Sequence, residues 1–162
     1  MNKTMKEVKA VLSFRGAIVK GKESNAPTEN GIYAAFACTS IVTNDKQSWH
    51  PQRTLYVGKA EGTDTIRKRI SDHANDRDEA DSGKQSYWEK NYMKPEETVV
   101  YTYAKHKDDL HDIEAVLIYM NDIEANVQGT DNYLADADVV DVICEGHKGK
   151  LKSRNMMKKE DK

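Results

Sequence analysis

Clusters of apolar residues separated by polar stretches predict strands and loops in the first third of this chain. Residues 8–19 predict a first strand or strand pair, and the polar residues 20–30 predict a loop. β-Branched, aromatic and small apolar side chains over 32–42 predict a second strand. The polar stretch 44–52 predicts another loop, and residues 54–58 predict a third strand. The second and third strands are therefore expected to form a hairpin with a long connection.

Two later segments carry apolar residues at helical spacing. The first helix, capped by Thr63 or Asp64, is expected to run to about residue 78. The second helix, capped by Asp108 or Asp109, is expected to run to about residue 123. Their apolar stripes are Ile66, Ile70 and Ala74 in the first, and Leu110, Ile113, Leu117 and Met120 in the second. A shorter helix is expected over 85–93.

Further strands are expected at 98–103 and 139–144, and the basic end of the chain is expected to be frayed. Because strands and helices do not alternate, their order does not suit a doubly wound parallel sheet. The prediction is an α+β fold with a small, mostly antiparallel three-stranded central sheet flanked by helices. Residues 1–30 are interpreted as an N-terminal extension that packs on a core of residues 31–134. Residues 135–162 are interpreted as a C-terminal strand with a basic tail.

Length and composition fit a single domain. The chain has 162 residues, and 38% apolar residues are enough for one core. No apolar run approaches the roughly 20 residues that a membrane helix needs, so no membrane association is expected. Cys38 and Cys144 lack the spacing of a metal site and are expected to be reduced core residues of a cytoplasmic protein. No glycine-rich phosphate loop with a following lysine occurs, so no nucleotide cofactor is expected.

Charge is distributed unevenly along the chain although its sum is small. The formal net charge is −2, which gives no support to a nucleic-acid partner. Residues 53–69 nevertheless form a basic stretch, and the end of the chain is basic as well. Such asymmetry can create a phosphate-binding face on a neutral protein, although ordinary solvated charges are the alternative. The residues predicted to contact a nucleic-acid backbone are Arg53, Arg67 and Lys68.

Several short motifs and polar side chains follow one another in a particular order along the chain. The series is Gly31-Ile32-Tyr33, then Tyr56-Val57-Gly58-Lys59, then Arg69 and His73 in the first long helix, Glu114 in the second, and Asn126 after it. This series, within residues 31–129, resembles the GIY-YIG nuclease family. That family includes homing endonucleases, some restriction enzymes and the incision subunit of bacterial excision repair. The resemblance implies a metal-dependent endonuclease that hydrolyses phosphodiester bonds in DNA.

Two departures from the family pattern affect the choice of arginine. The loop between the two tyrosine motifs is longer than in minimal members, although it resembles that of some restriction-type members. The stretch from Tyr56 to Arg69 is also extended, so Arg67 is a rival to Arg69. Arg69 precedes His73 by four residues, which places both on one helix face and favours Arg69.

Glu114 and Arg69 have expected roles that follow from their chemistry. Glu114 lies at the edge of the apolar stripe of the second helix and can supply one hard oxygen ligand. A single Mg²⁺ or Mn²⁺ ion would take its remaining ligands from water and phosphate, so Glu114 is assigned as the metal ligand. Arg69 is expected to clamp a phosphate oxygen through its guanidinium group. Either residue taken alone is more often an ordinary surface side chain.

The proton acceptor stays open between a tyrosine and a histidine. The resemblance implies that Tyr33 is the general base or positions the water, and that Tyr56 hydrogen-bonds in the same site. A free phenol has a pKa of about 10, so Tyr33 would need the field of Lys59 and of the metal to ionise. His73 is the alternative, because an imidazole titrates near neutrality. The resemblance also implies that Asn126 helps to build the site through hydrogen bonds.

Two other functions are consistent with the same residues. The chain could be a non-cleaving nucleic-acid-binding or regulatory module, because a fold does not guarantee activity. It could also be a structural or protein-interaction domain, which only the negative net charge suggests. A homodimer would explain cleavage of both DNA strands, but no interface can be read from the sequence.

Overall fold

A computed structural model of the protein describes residues 4–126 and 133–159. Six strands and three α-helices lie in this part of the chain. The strands are Glu7–Ile18 (β1), Gly31–Thr43 (β2), Lys46–Ala60 (β3), Thr98–Lys105 (β4), Val139–Gly146 (β5) and Arg154–Lys158 (β6). The helices are Ile66–Ala74 (α1), Gln85–Asn91 (α2) and Leu110–Met120 (α3). Two short 3-10 helices lie at Glu23–Asn25 and Asp81–Gly83.

All six strands belong to one mixed sheet, in the order β3-β2-β4-β1-β5-β6. β1 and β5 are parallel, and the other neighbours are antiparallel. The prediction of a three-stranded, mostly antiparallel central sheet is therefore wrong, although the fold is α+β. The sheet is larger because β1 enters it between β4 and β5, and β5 and β6 then extend it. Local apolar patterns predict a strand but not its partner, and these partners lie at opposite ends of the chain.

Both flanks of the predicted core contribute to this sheet. β1 comes from residues 1–30, and β5 and β6 come from residues 135–162. The end of the chain was expected to be frayed, yet residues 154–158 pair with β5 as a regular strand. Residues 127–129, the last of the span that resembles the family, lie outside the described part of the chain.

The β2–β3 hairpin is longer than the sequence pattern predicts. Residues 44–52 were expected to form a loop, but the two strands are connected by a two-residue turn at Asn44 and Asp45. Both turn residues have a positive φ, which short Asn and Asp side chains tolerate. β4 pairs with β2 only as far as Cys38, so residues 39–50 project beyond the sheet as a two-stranded arm, here called the arm. Pro51 is accommodated because β3 is an edge strand.

Helices cover both faces of the sheet and give the molecule two apolar cores. α3 packs on one face against residues such as Leu12, Phe36 and Val142. α1 and α2 pack on the other face, where Ile66, Ile70 and Trp88 meet the opposite side of β2 and β4. α3 contacts β3 near one edge of the sheet and also β5 and β6 near the other edge. The sheet is therefore curled around α3, which brings the edge strand β3 close to that helix.

The helix ends differ from the sequence-based expectations by a few residues. α1 begins after Thr65, whose hydroxyl accepts a hydrogen bond from the Lys68 backbone N–H at 3.1 Å, and not after Thr63 or Asp64. It ends at Ala74, before Asp76 adopts a positive φ. α3 ends at Met120, because the chain then turns to pair with the edge of β3. Such shifts move the ends of the predicted helices but not the faces on which their side chains lie.

Cys38 and Cys144 are buried and unpaired, as expected for core residues. Within residues 4–126 and 133–159, no helix is long and apolar enough to cross a membrane.

A buried pair of asparagines ties the end of α3 to the β5–β6 hairpin. Asn121 Nδ2 donates to Asn155 Oδ1 at 2.8 Å, and Asn121 Oδ1 accepts from the Lys152 backbone N–H at 2.9 Å. Asn155 Nδ2 in turn donates to the Lys152 carbonyl at 2.9 Å. Asn155 is fully buried, so its amide is one of the few polar side chains in the core. These bonds satisfy groups that would otherwise be buried without partners.

Replacement of Asn155 with alanine is expected to lower the free energy of unfolding by about 1–3 kcal/mol, because one N–H of the Asn121 amide and the Lys152 carbonyl each lose the hydrogen bond to Asn155. Urea denaturation followed by circular dichroism measures this loss. Met156→Ala on the same strand is the control, since that side chain is exposed and should change stability by less than about 0.5 kcal/mol. Equal losses in the two variants would contradict the role given to Asn155.

Candidate active site

The two tyrosines of the family-like series lie side by side on one face of the hairpin. Tyr33 on β2 is paired with Gly58 on β3, and Tyr56 lies two residues before Gly58. Side chains two residues apart on a strand share a face, so the two rings are neighbours, with centroids 6.3 Å apart. Tyr33 is 1% exposed, whereas Tyr56 is only partly buried. Tyr56 therefore lies nearer to solvent than Tyr33.

Gly58 makes room for the hydroxyl end of Tyr33. A methyl group at residue 58 would overlap the Tyr33 hydroxyl and the ring carbon that bears it. The overlap involves the rigid end of a fully buried side chain, so it could not be relieved by a simple rotation. The glycine in Tyr56-Val57-Gly58 is thus a requirement of packing against Tyr33.

Helix α1 places His73 against the Tyr33 hydroxyl. Tyr33 Oη lies 2.7 Å from His73 Nε2, and His73 Nδ1 is hydrogen-bonded to the carbonyl oxygen of Gly83. A carbonyl oxygen can only accept, so Nδ1 carries a proton. In the neutral imidazole Nε2 is then an acceptor, and the Tyr33 hydroxyl donates to it. The backbone of Gly83 therefore selects the tautomer that faces Tyr33.

Burial keeps both members of this hydrogen bond neutral. It lowers the pKa of His73 below its ordinary value, although the hydrogen bond to Gly83 acts in the opposite direction. It also raises the pKa of Tyr33 well above that of a free phenol, and the nearby Tyr56 adds to this shift. A proton that leaves the Tyr33 hydroxyl nevertheless has an acceptor already in contact, at His73 Nε2. The two predicted alternatives for the base are thus joined in one hydrogen-bonded pair.

Arg69, and not Arg67, lies beside the aromatic rings. The charge of Arg69 lowers the pKa of Tyr33 against the larger effect of burial, and its guanidinium is 3.3 Å from Asp78 Oδ2. Arg67 Nε instead donates to the carbonyl of Ala26 at 2.8 Å, on the loop that precedes β2. The geometry therefore brings Arg69 to the candidate site and directs Arg67 elsewhere.

Trp88 completes a cluster of aromatic rings with Tyr33, Tyr56 and His73. Its ring stacks on both Tyr56 and His73, each with centroids 5.6 Å away, and its indole N–H donates to the Ser82 carbonyl at 2.6 Å. Trp88 is fully buried, so it cannot stack on a base without unfolding of α2. Trp88 thereby fixes the planes of the two rings above it.

Asn126 occupies the open edge of β3. Its Oδ1 accepts from the Val57 backbone N–H at 2.9 Å, and its Nδ2 donates to the Val57 carbonyl at 3.1 Å. Just before it, the Ala125 backbone N–H donates to the Leu55 carbonyl at 2.8 Å. The amide side chain thus continues a short strand-like pairing by using both of its polar atoms. It holds the segment that carries Tyr56 in place, which is the kind of role that the resemblance implies.

A cleft of about 440 Å³ lies between β3 and α3. Its lining includes Tyr56, Lys59, Glu114 and Asn126, but not Tyr33, Arg69 or His73. Burial raises the pKa of Glu114, while the charge of Lys59 acts in the opposite direction. Lys59 Nζ itself pairs with Glu61 at 2.8 Å. Lys59 therefore contributes positive charge to the cleft without a direct ion pair to Glu114 among the described residues.

Glu114 fits the role of a ligand for a divalent cation. Its carboxylate is partly buried beside the cleft, and no described side chain neutralises it by a close ion pair. A hard carboxylate oxygen in this setting is stabilised by a bound cation, since desolvation otherwise disfavours its charged form. Potential ligand atoms of His111 and Asp112, at the start of α3, and of Asp136 also lie within 4.8 Å of one another. Asp112 already accepts a hydrogen bond from the Asp136 backbone N–H at 2.6 Å, which accounts for that cluster structurally.

The residues predicted to contact a nucleic-acid backbone are engaged within the protein. Arg53 pairs with the carboxylate of Glu97. Lys68 pairs with Asp72 at 3.1 Å and Asp64 at 3.5 Å. Arg67 is bonded to a backbone carbonyl, as described above. Phosphate contact by these three side chains stays a prediction, and it would require them to exchange partners.

Two groups that shape the site were not predicted from the sequence. The Gly83 carbonyl sets the tautomer of His73, and the Asp78 carboxylate holds Arg69. Both residues lie in a polar segment with no periodicity, and a backbone carbonyl leaves no trace in residue identity. No family model, curated protein or solved structure matches this chain. The resemblance to GIY-YIG nucleases therefore rests on the ordered residues alone.

The burial of His73 predicts a loss of stability in acid. Its pKa is lowered in the fold from 6.5, so below pH 6.5 the unfolded chain binds a proton that the folded chain does not. The free energy of unfolding should therefore fall as the pH drops below 6.5, by up to about 1.4 kcal/mol per pH unit. Urea titrations across this range should show a flatter dependence for His73→Gln. His50→Gln, at an exposed position, should keep the dependence of the parent protein, and a matching slope in His73→Gln would exclude His73 as the cause.

Proposed function

We propose that this protein is a metal-dependent endonuclease of the GIY-YIG type, which hydrolyses phosphodiester bonds in DNA. The observation that carries the proposal is the hydrogen bond from Tyr33 to His73, in which the tautomer is set by Gly83. A buried phenol with an unprotonated imidazole nitrogen at 2.7 Å is suited to proton transfer. Arg69 beside this pair adds the positive charge that a phosphate needs.

Each residue has a distinct role in the proposed hydrolysis. Glu114 would hold a single Mg²⁺ or Mn²⁺ ion, which stabilises charge on the phosphate oxygens. Arg69 neutralises the charge that develops on the same group. His73 accepts the proton of the attacking water through the Tyr33 hydroxyl, which passes its own proton to Nε2 as it receives another. This assignment removes the need for a free tyrosinate.

Tyr56 is the phenol that faces the cleft in this proposal. Burial raises its pKa to about 12, so it stays protonated at neutral pH and acts as a hydrogen-bond donor. Its ring also lies within 4.8 Å of the His73 ring, measured between centroids. A donor at the wall of the cleft can orient a phosphate oxygen or the water that attacks it.

A non-cleaving nucleic-acid-binding module is the second candidate. The burial of Tyr33, which does not line the cleft, favours this function, because the reacting water must approach the Tyr33–His73 pair. We propose a cytoplasmic location for either candidate, since buried, reduced cysteines such as Cys38 and Cys144 are usual there.

The metal assignment predicts that Glu114→Gln abolishes nicking of supercoiled plasmid, with a loss of at least about 100-fold in rate. The parent protein should nick in the presence of Mg²⁺ or Mn²⁺ and be inactive with a chelator. Glu61→Gln is the matched control, because this carboxylate is exposed and pairs only with Lys59 among the described residues. Full activity of Glu114→Gln with Mg²⁺ would refute the assignment. Absence of nicking by the parent protein with either metal would favour the non-cleaving module.

The choice of Arg69 over Arg67 predicts that lysine substitutions at these two positions of α1 affect the nicking rate to very different extents. Arg69→Lys should lower the nicking rate by at least about tenfold, because lysine keeps the charge but not the planar guanidinium. Arg67→Lys should change the rate by less than about twofold, since Arg67 bonds to the carbonyl of Ala26. Nicking rates at saturating DNA measure both effects. The reverse pattern would show that Arg67 serves the site.

A further inference from the structure

A second cavity of about 520 Å³ lies at the base of the arm, away from the cleft that contains Glu114. Its walls include Phe36, Trp49, Val100, Thr102, His147 and Gly149. Trp49 precedes Tyr56 by seven residues on β3, which corresponds to roughly 20 Å along the strand. One edge strand therefore carries residues of both cavities.

The walls of this cavity suit a flat ring. Trp49 provides the aromatic surface that a ligand can reach, and the buried side chains of Phe36 and Val100 form the apolar wall behind it. Trp49 packs against the core that contains Phe36 but is only partly buried, so part of its indole surface is open to a ligand. The turn at Gly149 lies directly against the Phe36 ring, where an added Cβ would be 2.6 Å from its edge. Planar ligands bind such walls by stacking, which depends little on their exact substituents.

Two polar groups on the wall have hydrogen-bonding capacity left over. The Thr102 hydroxyl oxygen is buried and has no hydrogen-bond partner among the described residues. His147 Nδ1 donates to the Gly16 carbonyl at 3.1 Å, which leaves Nε2 as an acceptor in the neutral ring. A ligand that carries both N–H donors and acceptor atoms on a flat ring would satisfy groups of this kind. Nucleobases have this combination.

Basic residues stand next to the cavity. Gly149 in its wall is flanked by Lys148 and Lys150. Lys148 Nζ is bonded to the Leu151 carbonyl at 2.9 Å, while Lys150 is exposed. A base in the cavity would thus have an exposed lysine one residue along the chain from its wall, which suits the phosphate of a nucleotide.

From these features we infer that the cavity binds the base of an unpaired nucleotide in a DNA strand. The base stacks on Trp49, its polar edge meets Thr102 and His147, and its phosphate lies towards Lys150. The inference rests on the proposed nucleic-acid substrate but not on cleavage. Trp49 packs on the α3 side of the sheet and Tyr56 packs on the other side, so a DNA strand that reaches both would cross the edge strand β3.

Binding of a labelled single-stranded oligodeoxynucleotide, measured by fluorescence anisotropy with a chelator present, tests the inference separately from cleavage. Trp49→Ala should weaken binding by at least about fivefold, because one stacked base is lost. Thr102→Val, which keeps the side-chain shape, should weaken binding by about threefold or more and tests the cavity even if Trp49→Ala does not fold. Duplex DNA of the same sequence should show little dependence on Trp49.

Ile41→Ala is the matched control, because this apolar side chain is exposed on the same arm and is not in the cavity wall. It should bind the oligonucleotide as the parent protein does. Equal affinities of the parent, Trp49→Ala and Thr102→Val proteins would overturn the inference. Trp49-dependent binding of free thymidine monophosphate without binding of the oligonucleotide would also overturn it, since the ligand would then not be part of a strand. If the parent protein bound the oligonucleotide in a Trp49-dependent way but did not nick plasmid with Mg²⁺ or Mn²⁺, only the proposed endonuclease activity would be refuted.

Discussion

Both nitrogens of the His73 ring are hydrogen-bonded inside the protein, and the positions of the surrounding elements follow from that constraint. Nδ1 binds the carbonyl of Gly83, and Nε2 binds the hydroxyl of Tyr33. The ring therefore links α1 to the polar segment before α2 and to β2. Because the ring is buried, a displacement of any of these three elements would leave a polar group without a partner. The hydrogen bonds that hold these three elements together therefore also hold the Tyr33–His73 pair in place.

The elements that sequence patterns predicted best are those that depend on contacts between residues close together in the chain. The stripes of α1 and α3 and the β2–β3 hairpin were all expected, since each depends on residues close in the chain. The parallel pairing of β1 with β5 was not, because Glu7 and Val139 are joined only when the whole sheet forms. Residues 46–50 of the arm were taken for part of a loop over 44–52, because most of that stretch is polar. They form strands because a two-residue turn at Asn44 sets the register.

The candidate site shows the same division. Tyr33, His73 and Asn126 could be listed from the order of residues, and the fold brings them into hydrogen-bonded positions. Charge could not be interpreted in this way. Arg53 and Lys68 belong to a basic stretch of sequence, yet acidic residues distant in the chain or one turn away along α1 neutralise them. A count of basic residues does not reveal which of them are paired, because pairing is decided by tertiary geometry.

The pairing of Asn126 with Val57 has a further consequence for the behaviour of the protein at high concentration. An open strand edge is a template for a strand from another molecule, and such contacts lead to aggregation. The segment 123–126 occupies that position along β3, and Pro51 removes a backbone donor farther along the same edge. At the opposite edge, β6 is short and exposes Arg154 and Lys158. The amide that orders the candidate site thus also protects the sheet from intermolecular strand addition.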